Sequence, residues 1–177
     1  MYNPFDWYWF AEDGRVFASA RQALVTESDA GYVVALAAGT TTPWPRELNG
    51  IQTDAALQAV LAPYNMFVDL KSYASYRRWQ FEIGGIDFNG VPIATDDRSK
   101  LMITGGRIAA DADASWTTIW QGSDGNSYPL NAAAMIAISD AVQAHVSSCF
   151  AIYATVISNI DGGTVTSRTQ VDAEFVS

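Results

Sequence analysis

The stretch "AAAMIAISDAVQAHVSSCFAIYATVISNI" constrains the fold more than any other part of this chain. Apolar or small residues recur at Met135, Ile138, Val142, His145, Cys149, Ile152 and Val156, in steps of three and four. That spacing predicts one helix over about 131–160 with a heptad-like stripe. Val146, Phe150, Tyr153, Ile157 and Ile160 form a second stripe beside the first, so the apolar face is wide. At about 1.5 Å per residue such a helix spans roughly 45 Å, more than a domain of this size needs for its own core. Asn131 can cap its start and Asp161-Gly162-Gly163 end it.

Upstream, the same arrangement of hairpin, cap and helix occurs twice. "IDFNGVPI" (86–93) reads as a hairpin closed by Asn89-Gly90, leading to Thr95 or Asp96 as N-cap of a helix through "DRSKLMITGGRIAAD". "WTTIWQGSDGNSYPL" (116–130) reads as a second hairpin turning at Ser123-Asp124-Gly125-Asn126, leading to Asn131. A helical segment from about Leu70 to Glu82 precedes both units. Nearer the N-terminus, "WYWFAEDGRVFAS" (7–19) predicts a hairpin with a tight turn at Asp13-Gly14. Asp29 can cap a short helix stopped by Gly39, and Thr53 a second one, Asp54 to Leu61, that ends before Pro63. Residues 40–50 should be irregular, broken by Pro43 and Pro45. The tail "TVTSRTQVDAEFVS" predicts a strand and a turn.

The expected fold class is therefore α+β. A small N-terminal module of a hairpin plus helices covers 1–66. Two hairpin–helix units follow over 67–177, ending in the long helix and a short tail.

With 177 residues, 49% hydrophobic and 16% charged, the chain can fill a core. Ten basic and 19 acidic residues leave a net charge of −9, which disfavours nucleic-acid and anionic membrane partners. One cysteine excludes an intramolecular disulfide. The opening lacks the features of a secretory signal, and no apolar run reaches the roughly 18 residues of a membrane span, so synthesis and folding in the cytoplasm are expected.

Several groups could carry chemistry. "GGIDFNGVPIATDDRS" (84–99) is rich in glycine and aspartate, but its glycines follow a helix or sit at a hairpin turn rather than between a strand and a helix. Scaffold is the preferred reading. Glu82, Asp96 and Asp97 could form an acid/base or Mg²⁺ cluster, yet aspartates at a helix start favour its dipole, and nothing in the sequence brings a third ligand near. His145 and Cys149 stand at i, i+4, a spacing that allows a thiolate–imidazolium pair. Both lie in the apolar stripe, where core packing is preferred. No catalytic residue, cofactor or metal is expected. The aromatic run "FDWYWF", with Trp44, Trp79, Trp116 and Trp120, could stack on sugars, but a core-plus-interface role is favoured.

The ordered motifs carry a resemblance. "RRWQFEIGGIDFNGVPIATDDRS", the second hairpin and "AVQAHVSSCF" together are similar to an uncharacterised domain of tailed bacteriophages and prophages. Its pattern falls here on Glu82, Gly84, Gly85, Gly90, Thr95, Asp96, Ser99, His145, Val146, Cys149 and Phe150. Ile83 stands where that family often has Thr, and Tyr153 where it often has an acidic residue. "DGRVFAS…GYVVALAAGTTTPWP" also resembles short modules of tail-fibre and fibre-assembly proteins.

The resemblance implies a non-enzymatic protein of the virion tail, assembled in the host cytoplasm. It would attach or organise fibre or baseplate components through protein–protein contacts. The alternatives are a fibre-assembly chaperone not retained in the particle and, more remotely, an enzyme with a carboxylate or Cys–His site. The implied partners are other tail, fibre or baseplate proteins and a homo-oligomer, with no nucleic acid and no membrane. The candidate interface residues are Trp7, Tyr8, Trp9 and Phe10 in the aromatic run, and Val146, Phe150, Tyr153 and Ile157 on the long helix.

Overall fold

The expected 131–160 helix is present in the architecture, seen here in a computed structural model that describes residues 2–176. The fold is α+β. The chain divides into two compact units, one up to Tyr73 and one from Ala74 onward.

The first unit is built on a four-stranded sheet of β1 (Tyr8–Phe10), β2 (Val16–Ala18), β3 (Ala23–Val25) and β4 (Thr41–Pro43), in the order β3-β2-β1-β4. β1, β2 and β3 pair antiparallel, and β4 pairs parallel with β1. The β1–β2 turn is wider than the expected two-residue turn. Ala11 N–H donates to the Arg15 carbonyl across 2.8 Å, enclosing Glu12-Asp13-Gly14, and only Gly14 has positive φ.

β4 corrects the expectation of an irregular 40–50 segment. Its place at the sheet edge, with Pro43 as its last residue, accommodates a residue that has no N–H to give. Helices α1 (Ala30–Ala37) and α2 (Asp54–Leu61) start where their caps predict, with Asp29 accepting from the Tyr32 N–H and Thr53 from the Ala56 N–H. Trp9, Phe17, Trp44, Leu57, Leu61 and Met66 form the core of this unit. The Trp44 indole N–H donates to the Thr53 carbonyl across 2.7 Å, so its buried donor is satisfied.

α3 (Leu70–Ile83) leads into the second unit. There β5 (Ile86–Phe88) and β6 (Val91–Ile93) form the first hairpin, with Asn89 and Gly90 both at positive φ, as a type I′ turn requires. α4 (Asp97–Ala112) follows, capped by Asp96. β7 (Thr117–Gln121) and β8 (Ser127–Asn131) form the second hairpin, and α5 (Ala132–Asp161), capped by Asn131, packs against α4. The expected strand in the tail is instead α6 (Arg168–Glu174). Ser167 caps it, and Val171 and Phe175, four apart, are buried.

The first stripe of α5 is the core stripe. Met135, Ile138, Val142, Cys149 and Val156 are buried, with His145 and Ile152 half-buried. Met135 and Ile138 join Ile93, Ile103 and Leu130 in the second core. α6 packs back on α5, so part of the helix's surplus length is covered by its own chain. By length and composition α5 is also apolar enough to cross a membrane, against the expectation that no run reaches that length. Mostly buried core helices pass the same test, whereas 22% of the apolar window of α5 is buried.

Candidate functional site

The motif residues meet where α3 ends. Gly85 has φ +87°, and a Cβ there would stand 2.9 Å from the Ile93 carbonyl oxygen, so glycine is required on both counts. Its N–H donates to the Thr95 hydroxyl across 2.9 Å, and that hydroxyl donates to the Glu82 carbonyl across 2.6 Å. Thr95 is fully buried. It is therefore a clamp between the end of α3 and the end of the first hairpin rather than a helix cap. Asp96 takes the cap, accepting from the Ser99 N–H at 3.1 Å and the Ser99 hydroxyl at 2.6 Å. The Ser99 side chain and then its backbone N–H hold the Asp96 carboxyl below the usual range.

The Glu82 side chain lies buried beside this clamp. Lys100 Nζ reaches its carboxylate at 2.6 Å, and the Arg78 guanidinium bonds the other oxygen. Burial pushes the Glu82 carboxyl up, but Lys100 and Arg78 together outweigh it and leave it below its ordinary value. Lys100 is raised in turn, chiefly by its hydrogen bond to Glu82. From α5, His145 Nε2 lies 3.2 Å from the carbonyl oxygens of both Phe81 and Glu82, and Cys149 Sγ lies 3.7 Å from the same nitrogen. Burial, then the charge of Glu82, raises the Cys149 thiol above its ordinary value. That environment holds a thiol rather than an activated thiolate.

Glu82, Gly85, Thr95, Asp96, His145 and Cys149 are thus brought to one end of α3, a convergence that motif order alone does not reveal. The groups are engaged mainly with each other. Glu82 pairs with two cations, Asp96 starts α4, and Asp97 faces outward with Lys100 3.1 Å away. Among the described residues no group of three His, Cys, Asp or Glu side chains could hold a metal ion.

The interface candidates fall in several environments. Trp9 is 5% exposed and belongs to the core, whereas Phe5 is 57% exposed and lies ahead of β1, which starts at Tyr8. Trp7 is half-buried, with its indole N–H donating to Thr42 Oγ1 at 2.9 Å. Tyr8 and Phe10 are half-buried, and the Tyr8 ring lies 5.8 Å from Tyr32. On α5, Val146, Tyr153 and Ile157 are half-buried and Phe150 is exposed. The Arg78 guanidinium stands 4.4 Å over the Phe150 ring and 6.0 Å from the Tyr153 ring. The second stripe therefore has a cationic partner from α3 that its apolar character did not suggest.

Arg78 and Lys100 join this site without being among the residues that the motifs single out. Arg78 and Glu82 carried a signal in their i, i+4 spacing. Lys100, 18 residues from Glu82, carried none. Nor do the motifs single out the large apolar side chains that the fold leaves outside: Leu24, Val33, Val34 and Leu36 in the first unit, and Leu101, Met102, Ile108 and Ile119 in the second.

The motifs gathered at this site lie within residues 68–175, which match the family described as a domain of unknown function, DUF4376. The chain belongs to the DUF4376 family. The DUF4376 region begins shortly before α3 and ends with α6, so it takes in both hairpin–helix units and the whole Glu82 cluster. No curated protein and no solved structure matches the chain.

Proposed function

We propose that the chain is a structural protein of a bacteriophage tail. It attaches or organises fibre or baseplate components through protein–protein contacts, is made in the host cytoplasm, and is carried in the virion tail. The ordered motifs of the DUF4376 region and the N-terminal resemblance to fibre modules support the tail context. The observation that carries the reading is the set of exposed apolar side chains on both units. Val34 is 68% exposed, Leu101 74% and Ile108 67%. Large apolar side chains left exposed on a folded unit supply the apolar part of a contact surface.

The chemistry at the end of α3 supports a non-enzymatic role. The Glu82 carboxylate is neutralised by Arg78 and Lys100, the Cys149 thiol is held protonated, and the Thr95 hydroxyl is engaged on both sides. These groups lock two elements together, as a mounting scaffold needs. The net charge of −9 supports protein partners over nucleic acid or an anionic membrane. Phe150, with its neighbours Val146, Tyr153 and Ile157, remains the α5 surface on which a second copy or a tail partner would seat. The test is whether the chain stays in the finished particle. Retention at fixed copy number supports the structural role, and loss after assembly would assign the chain to chaperoning instead.

A further inference from the structure

Beside the Glu82 cluster, the second unit opens a cleft of about 770 Å³. Its walls come from the end of α3, the first hairpin, the turn of the second hairpin and α5, with Arg77, Phe81, Ile86, Asp87, Ser123 and His145 among the lining residues. That is within the usual size of small-molecule sites.

The hydrogen-bonding capacity left over in this cleft is specific. Both neighbours of His145 Nε2 at 3.2 Å are carbonyl oxygens, which only accept, so Nε2 carries the proton in the neutral ring. Nδ1 is then an acceptor. Among the described residues it has no hydrogen-bond partner, and it is not buried. Asp87 is exposed and gives one oxygen to the Gly90 N–H at 2.9 Å, leaving the other free. The Ser123 hydroxyl is exposed and can both donate and accept. Gln80 donates one amide N–H to Tyr76 and accepts from Arg77, so only part of its capacity is left for a ligand. Phe81, Ile86 and Pro92 supply apolar wall.

The charges of the lining narrow the ligand class. Arg77 Nε lies 2.6 Å from Asp172 Oδ1, an ion pair rather than an aligned hydrogen bond. Arg77 and Asp87 both line the cleft, so a full charge of either sign meets one group of like charge as well as one of opposite charge. A neutral ligand rich in hydroxyl groups meets neither repulsion. Its hydroxyls can donate to His145 Nδ1 and Asp87 and exchange hydrogen bonds with Ser123, while its C–H face covers Phe81. We propose that this cleft is a binding site for a neutral saccharide, with His145, Asp87 and Ser123 as its polar contacts. The site stands apart from the tail role, since it rests on the cleft alone.

The chain has one histidine, so its ring proton signals in an NMR spectrum belong to His145 without further assignment. The experiment titrates the full chain separately with methyl α-glucopyranoside, methyl β-galactopyranoside, N-acetylglucosamine, methylamine and phosphate. The expected result is a saturable shift of the His145 signals with at least one sugar and none with methylamine or phosphate. Asp87→Ala and Ser123→Ala, both at exposed positions, should each weaken that binding about tenfold, as the loss of one ligand hydrogen bond implies. No shift with any sugar, a shift with methylamine or phosphate instead, or sugar binding unchanged in both variants would overturn the proposal.

Discussion

The Thr95 hydroxyl donates to the carbonyl of Glu82 across 2.6 Å, tying the last turn of α3 to the segment that enters α4. With the Gly85 N–H as its second partner, this one side chain satisfies two backbone groups at a buried corner. Thr95→Val keeps the shape and removes both bonds, and should cost about 1–3 kcal/mol as those groups go unsatisfied. Thr95→Ser keeps the hydroxyl and loses one methyl, costing about 1 kcal/mol. Urea melts should rank valine well below serine. Equal losses would mean that packing, not the clamp, holds the corner.

Glu82 gives the second unit a defined acid sensitivity. Its folded carboxyl titrates below its ordinary 4.5, so its contribution is fully present above pH 4.5 and is lost as pH falls through the lower folded value. Glu82→Gln leaves Arg78 and Lys100 facing a neutral amide. With the site partly open to water, the loss at pH 7 should be roughly 2–3 kcal/mol. The gap between wild type and variant should close as melts are repeated from pH 7 down to pH 3. A constant gap would show that the ion pairs add nothing.

Two glycines should respond differently to the same change. Gly90 has φ +80° and open space where a Cβ would stand, so Gly90→Ala costs only the backbone strain of about 1–2 kcal/mol. Gly85→Ala meets that strain and the Ile93 carbonyl as well, and should cost about twice as much. Asn89→Gly should be nearly neutral, since its φ of 54° already suits glycine. Thermal melts that rank Gly90→Ala as the worse of the two alanine variants would contradict the geometry at Gly85.

Cys149 is fully buried with a raised thiol, so a thiol-reactive dye should label it slowly in native buffer and quickly once the chain is denatured. Cys149→Ala leaves a small cavity and should cost about 1 kcal/mol. Rapid native labelling would indicate an accessible thiolate and revive a catalytic reading.

Much of this fold is legible locally. Asp29, Thr53, Asp96 and Asn131 each cap a helix from the position immediately before it, so short-range patterns find them. Asn89-Gly90 marks its turn for the same reason. The buried stripe of α5 is legible because helical periodicity sorts Cys149 and Val142 inward.

Long-range partnerships are not. β4 exists because Thr41–Pro43 finds β1 from a distance, and nothing within residues 40–50 announces a strand. α6 was hidden by the alternating "TVTS" before it, where the Ser167 cap prevailed. The Glu82–Lys100 bond and the position of Arg78 over Phe150 are tertiary events. For that reason the second stripe of α5 reads as wholly apolar in sequence but carries a cation over it in the fold.

The central claim, a structural place in the tail, is tested most directly by quantitative mass spectrometry of purified particles from a phage that encodes this chain. The chain should be present at a fixed integer copy number relative to the fibre or baseplate proteins. Particles made with Ile108→Glu or Val34→Glu, which place a charge on an exposed apolar surface without touching either core, should carry less of it. Its absence from infectious wild-type particles, with the chain abundant in the infected cell, would contradict the claim.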